Sequence, residues 1–146
     1  MKRIQSVLFL CMVLLTSLHL AAQEEAKVVD MKKHKIVFQL TSEDTIVHKS
    51  LLRQISNTLA AAPKSQIEVV CHGPGINLLV AAKTKYASKI SNLVKENVKF
   101  VACENTLRER KINKEEILKD TGFVPAGIVE IVLKQEKGWS YIKAGF

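Results

Sequence analysis

Short apolar runs alternate along this chain with segments of helical spacing, and this alternation constrains the fold more than any other feature. Three runs rich in β-branched residues, at 35–40, 66–71 and 99–103, are predicted strands. After the first of them an apolar residue recurs at every fourth position, as on one face of a helix: Val47, Leu51, Ile55 and Leu59. Because parallel strands need a crossover between them, this alternation predicts a parallel sheet covered by helices.

The elements between and after these runs are shorter. Thr41, Ser42 or Asp44 can cap the first helix, and Pro63 ends it. The other predicted elements are, in chain order, a turn at 72–75, helices over 76–85 and 90–95, a short helix from Asn105, a helical turn that a capping box at Asn113 and Glu116 begins and Gly122 ends, and strands at 123–124 and 139–143.

The segment Ile128–Leu133 fits two structures, since its β-branched residues favour a strand while its place between two predicted strands favours a crossover helix. We predict a helix, because the alternation of strands and helices elsewhere requires one. The predicted architecture is therefore α/β, a single three-layer α/β/α domain with a mostly parallel sheet of about five strands.

The first 22 residues have the pattern of a secretory signal peptide, because Lys2 and Arg3 precede the apolar stretch Val7–Leu15 and Ala22 ends a plausible cleavage site. Residues 23–34 are polar and are predicted to be a flexible leader, and residues 35–146 are predicted to form the domain. The apolar stretch is too short for a permanent membrane span. We therefore expect a periplasmic or secreted protein with no membrane span.

The chain carries a net charge of +8, which falls to +6 when Lys2 and Arg3 are removed with the signal. Its lysines are interleaved with acidic residues, and only 5% of the residues are aromatic. Such a chain lacks the combined basic and aromatic surface that binds nucleic acids. The composition predicts a solvated, lysine-rich surface and no nucleic-acid partner.

Cys103 is the candidate reactive residue, since it closes the apolar run 98–102 and precedes the polar stretch 104–108. In an open α/β sheet ligands bind at the carboxyl ends of the strands. A thiol at a helix N-terminus also feels the positive end of the helix dipole, which lowers its pKa. The alternative is that Cys103 is a small buried apolar residue, as most free cysteines are.

Cys71 and His72 stand at the end of the second predicted strand. Export permits disulfides, so Cys71 and Cys103 could pair if their strands are neighbours. His72 could be a general base or a metal ligand, but one histidine beside one cysteine is a poor metal site, and a structural or binding-rim role is the better interpretation. The turn at 73–75 does not fit a phosphate cradle, because Pro74 has no N–H.

Three segments, 70–76, 98–107 and 124–130, resemble the DsrE/DsrF-like family in residues, order and spacing. The resemblance extends over residues 35–143, and its most specific part is the segment that contains Cys103 and Asn105. It implies a parallel α/β sheet, assembly into trimers or hexamers, and a cysteine that carries sulfur as a persulfide between donor and acceptor proteins.

On this resemblance Cys103 is the sulfur carrier and Asn105 belongs to its motif. Arg108, Arg110 and Lys111 could stabilise the thiolate, whereas Glu104 opposes it, so these charges leave the net shift of the thiol pKa open. Cys71 could close a disulfide with Cys103 or act as its resolving thiol, and sulfur transfer by thiol exchange needs no metal and no cofactor. The alternative function is a non-catalytic oligomeric binding module in which Cys103 is structural.

Overall fold

The computed structural model describes residues 29–145. The predicted signal peptide and the first half of the predicted leader, residues 23–28, lie outside the described residues. Within the described part of the chain no helix is long and apolar enough to cross a membrane. Ahead of the first strand, the Asp30 N–H donates a hydrogen bond to the Ala61 carbonyl at 2.7 Å.

The described residues form one five-stranded sheet with helices on both faces, which confirms the predicted α/β class. The strands are β1 (Lys35–Leu40), β2 (Gln66–Cys71), β3 (Val98–Cys103), β4 (Gly122–Val124) and β5 (Ser140–Lys143). The helices are α1 (Thr45–Ala61), α2 (Ala87–Lys95), α3 (Glu104–Arg110) and α4 (Gly127–Glu136), with short 3₁₀ segments at Gly73–Leu78 and Lys114–Glu116. Every strand pairing is parallel, in the order β4-β3-β2-β1-β5.

The strand order decides which face each helix covers. The chain moves in one direction across the sheet from β1 to β4 and then returns to the other side of β1 as β5. Because such crossovers are right-handed, α1, α2 and α3 lie on one face and α4 lies alone on the other. The larger apolar cluster accordingly takes side chains from α1, α2 and α3. The smaller cluster lies under α4: Val37, Val70, Val101, Val124 and Ile131.

Most predicted elements are confirmed. The bounds of β1 and β2 are those predicted, and Asp44 caps α1, where its carboxylate accepts a hydrogen bond from the Ile46 N–H at 2.7 Å. The ambiguous segment Ile128–Leu133 lies within the helix α4. Topology therefore outweighs the strand propensity of its β-branched residues.

The prediction of a helix over 76–85 is wrong. Residues 76–78 are the end of the 3₁₀ segment Gly73–Leu78, and the next helix, α2, begins only at Ala87. The Leu79 carbonyl accepts a hydrogen bond from the Leu118 N–H at 2.9 Å, so this stretch pairs with a distant segment instead of with itself. Ile76, Leu78, Leu79 and Val80 are all buried, and this dense burial produces a helical pattern in the sequence without a helix.

The prediction that Gly122 ends a helical turn is also wrong, since Gly122 opens β4. The capping box of Asn113 and Glu116 is confirmed, but the turn it begins ends at Glu116. Ile117 is already extended, with ψ 145°, and forms an antiparallel bridge with Val80. Pairing with a distant segment therefore stops this helix as well.

Candidate active site at Cys103

Cys103 is the last residue of β3 and directly precedes α3, as its sequence position predicts. Only 4% of the residue is exposed. The Gly127 N–H, at the start of α4, donates a hydrogen bond to Cys103 Sγ at 3.2 Å. The thiol is thus held at the carboxyl edge of the sheet, on the face that α4 covers.

Thr106, in the first turn of α3, also affects the thiol. The Gly73 N–H donates to Thr106 Oγ1 at 2.9 Å, and the hydroxyl and backbone N–H of Thr106 are among the groups that lower the pKa of the Cys103 thiol. Burial alone would raise the pKa of the Cys103 thiol, but the hydrogen-bond donors around it, on Thr106, Gly127 and Asn105, outweigh burial and hold its pKa below the ordinary value. A larger fraction of Cys103 is therefore ionised to thiolate at neutral pH than of an ordinary cysteine.

The charged side chains that follow Cys103 are engaged with other groups. Glu104, predicted to oppose the thiolate, accepts a hydrogen bond from the Lys114 ammonium at 2.5 Å. Arg108, predicted to stabilise the thiolate, donates to the Asn105 side-chain oxygen. The pKa of Cys103 is thus lowered by hydrogen-bond donors and not by a neighbouring full charge.

The structure does not bring Cys71 and Cys103 together. Cys71 pairs in register with Ala102, and successive residues of a strand point to opposite faces, so Cys71 and Cys103 lie on opposite faces of the sheet. Cys71 is completely buried in the larger apolar cluster, where burial raises the pKa of its thiol. Both cysteines are free. The geometry supports neither a disulfide between them nor a resolving role for Cys71.

His72 lies next to the start of α4. A Cβ built on Gly127 would lie 3.2 Å from His72 Cβ and 3.4 Å from Cys103 Cβ, so His72 and Cys103 flank the first residue of that helix. Gln39 Nε2 lies 2.8 Å from His72 Nε2, and burial lowers the pKa of the imidazole. Among residues 29–145 no three His, Cys, Asp or Glu side chains gather into a group that could hold a metal ion.

Sequence reasoning misses three residues of this site: Gln39, Thr106 and Gly127. Thr106 and Gly127 lie inside the family-like segments 98–107 and 124–130, but a hydroxyl and a backbone N–H leave no distinctive pattern. Gln39 interrupts an otherwise apolar run, and this polar interruption is the one signal that could have identified it.

The fold and this site define the class of protein: a parallel α/β protein with a hydrogen-bonded cysteine at the carboxyl edge of its sheet. The model of the DsrE/DsrF-like family matches residues 34–144. The chain belongs to the DsrE/DsrF-like family.

Two solved structures are similar to this one. A protein of unknown function from Methanobacterium thermoautotrophicum, MTH1491, is 31% identical with a TM-score of 0.72, over 75% of this chain and 98% of that one. A conserved protein of unknown function from Bacteroides thetaiotaomicron, BT1422, is 14% identical with a TM-score of 0.61, over 75% of this chain and 93% of that one, and shows the fold alone. No curated protein matches this chain significantly.

Proposed function

We propose that this protein is an exported sulfur carrier whose Cys103 holds the transferred sulfur atom as a persulfide. The observation that carries the proposal is the hydrogen bond that Cys103 Sγ accepts from the Gly127 N–H at 3.2 Å. Membership of the DsrE/DsrF-like family supports a function of the sulfur-relay type. Export to the periplasm or the medium rests on the signal-like segment at residues 1–22.

The hydrogen-bond donors at Sγ suit the chemistry of sulfur transfer. The thiolate attacks the sulfane sulfur of a donor such as thiosulfate, a new S–S bond forms on Cys103, and sulfite leaves with the electron pair of the broken bond. The single negative charge of the thiolate then resides on the terminal sulfur of the persulfide. An acceptor thiolate that attacks this terminal sulfur regenerates the Cys103 thiolate, so the cycle balances without a metal or a nucleotide.

The test is the intact mass of the reduced mature protein after incubation with thiosulfate or polysulfide. We expect the gain of one sulfur atom on the wild type and none on Cys103→Ser. Cys71→Ala is the matched control, because its thiol is buried on the other face, and it should load like the wild type. A wild-type protein that gains no sulfur from either donor, or a Cys103→Ser variant that still does, would contradict a carrier role for Cys103.

The alternative function, a binding module with a structural cysteine, is favoured by the low exposure of Cys103. The two functions predict different rates for the alkylation of Cys103 by iodoacetamide near neutral pH. Cys71 is an internal reference, since it is completely buried and burial raises the pKa of its thiol. A carrier thiol should react much faster than Cys71, whereas equally slow alkylation of both cysteines would favour the binding module.

We also propose that the protein forms a homo-oligomer, a trimer or a hexamer, through the outer side of α4. Four apolar residues on this side are 41–55% exposed: Ile128, Val129, Val132 and Leu133. Ile131 packs on the sheet, so α4 is apolar on both sides, as in a helix that is buried in an assembly. Such an assembly would hold several Cys103 sites, and each would lie close to the interface because Cys103 contacts Gly127, the first residue of α4.

Val132→Lys should convert the oligomer to monomer, because a buried, unpaired ammonium strongly opposes association. Light scattering with size-exclusion chromatography measures the mass. Ile46→Lys is the matched control, since Ile46 is 69% exposed on α1, on the other face of the sheet, and this variant should keep the wild-type mass. A wild-type protein that is monomeric at all concentrations would exclude the assembly.

A further inference from the structure

A groove of about 570 Å³ lies between α1 and the edge strand β5. One side of it is a stripe of α1 residues at intervals of four: Ile46, Ser50, Gln54 and Thr58. The end of β5 forms the other side with Ile142 and Lys143, and Phe38 of β1 also lines the groove. Ile46 is 69% exposed, the largest fraction for a large apolar residue among residues 29–145, and Ile142 is also exposed. Apolar surface in the groove is therefore left uncovered by the described part of the chain.

The groove is also basic. Arg53 and Lys143 line it, and no acidic side chain is among the described residues that do so. Neither of these two cations forms a salt bridge with another residue of 29–145. A segment that fits the groove therefore combines apolar side chains, which cover Ile46 and Ile142, with negative charge.

The described part of the chain begins at one end of this groove. The Asp30 N–H donates to the carbonyl of Ala61, the last residue of α1 and three residues beyond Thr58. Residues three apart lie on the same side of a helix, so the stripe leads to the point where the chain enters the domain. From Ala61 back to Ile46 the helix is about 23 Å long. The seven residues 23–29 also cover about 23 Å when extended, so this segment can reach along the whole groove.

The residues before Val29 match the groove in chemistry. Residues 23–28 contain two acidic side chains, Glu24 and Glu25, and two apolar ones, Ala26 and Val28. In an extended segment the two glutamates lie about 17–20 Å from Asp30, in the half of the groove near the start of α1. Lys143 lies in that half, because Gly145, two residues further, packs against Val47.

We propose that residues 23–28 dock in this groove of their own chain, with Glu24 and Glu25 beside Arg53 and Lys143. The leader, predicted to be flexible because it is polar, is then an ordered part of the domain. Phe146 is the other residue near the groove that lies outside the described part of the chain, but it has no acidic side chain. The inference rests on the proposed function only for export, since cleavage after Ala22 makes Gln23 the first residue.

The test is the rate at which trypsin removes residues 23–27 from the mature protein, followed by intact mass. A docked segment is cleaved after Lys27 only when it opens, so cleavage of the wild type should be slow. Arg53→Glu and Lys143→Glu replace attraction to the glutamates by repulsion, and we expect each to raise this rate by about tenfold or more. Lys49→Glu is the matched control, because Lys49 is exposed on α1 but does not line the groove, and its rate should stay within about twofold of the wild type.

Three results would overturn the docking: wild-type cleavage as fast as that of a free peptide of residues 23–33, unchanged rates in both groove variants, or an equal rise in Lys49→Glu. A wild-type rate that increases on dilution would also overturn it, because the groove would then hold the segment of a second copy. Trypsin cleavage needs no sulfur donor, which separates the two proposals. A protein that protects its leader but takes up no sulfur would refute the carrier function and leave the docking standing.

Discussion

Replacing Gly75 by alanine should destabilise the protein by at least about 4 kcal/mol, which approaches the total stability of many single domains. Gly75 is buried in the 3₁₀ segment after β2, directly against the end of β1. An alanine Cβ would lie 2.6 Å from the Leu40 carbonyl carbon and 2.9 Å from the Thr41 nitrogen, and closer still to the Leu40 oxygen. These are backbone atoms at the end of an inner strand, so they cannot move aside as a flexible side chain does. Urea unfolding followed by Trp139 fluorescence measures the loss.

Gly73→Ala is the matched control for this substitution. Gly73 has φ +51° and open space around its missing Cβ, so alanine there should lose only about 1–2 kcal/mol, the strain of a left-handed residue. If the two variants lose the same free energy of unfolding, contact with Leu40 is not the cause.

Lys134→Met should lower the free energy of unfolding by about 3–5 kcal/mol at neutral pH, the usual loss when a buried ion pair is deprived of one partner. Lys134 Nζ lies 2.5 Å from Glu68 Oε2 and 4.4 Å from the centre of the Trp139 ring. Glu68 is on β2, is 3% exposed, and its Oε1 has no hydrogen-bond partner. Methionine fills the volume of Lys134 but leaves the Glu68 charge buried and unpaired.

This loss should depend on pH. Burial raises the pKa of Glu68 above its ordinary value of 4.5, although Lys134 opposes the shift. A group with a raised folded pKa contributes stability that is complete below pH 4.5 and is lost as the pH rises through the folded pKa. Without Lys134 the folded pKa rises further, so the deficit of the variant should shrink as the pH falls from 7 towards 4.5. Urea titrations at both pH values measure it.

The double variant Glu68→Leu, Lys134→Met separates charge from packing. An apolar pair of similar volume often replaces a buried ion pair with little loss of stability, so we expect the double variant to recover most of the deficit of Lys134→Met. A double variant as unstable as the single one, or a deficit that does not change with pH, would mean that the lost packing against Trp139 dominates.

The sequence alone predicts correctly those parts of the fold that the local apolar pattern and the strand topology determine together. β1 and β2 are nearly continuous apolar runs because both faces of an inner parallel strand are covered, and such runs are easy to recognise. α4 could be predicted despite its β-branched residues, since β4 and β5 are parallel neighbours of other strands and need a crossover. The segment 76–85 could not, because its conformation is decided by backbone pairing with Leu118.

The same distinction applies to the site. Cys103 was predicted from its place between an apolar run and a polar stretch, which is a local property. The Gly127 N–H reaches it from 24 residues further along the chain, and the Gly73 N–H orients Thr106 from 33 residues earlier. Neither contact is visible before the strands are assembled.

The groups that lower the pKa of Cys103 are mostly main-chain N–H groups, and this bears on how the site can change during evolution. Every residue except proline carries such a group, so substitutions around the cysteine can alter surface charge and shape while the donors remain. The acidity of the thiol is inherited with the path of the backbone and not with a set of side chains. A descendant of this protein could therefore acquire new binding partners without rebuilding the chemistry that serves them.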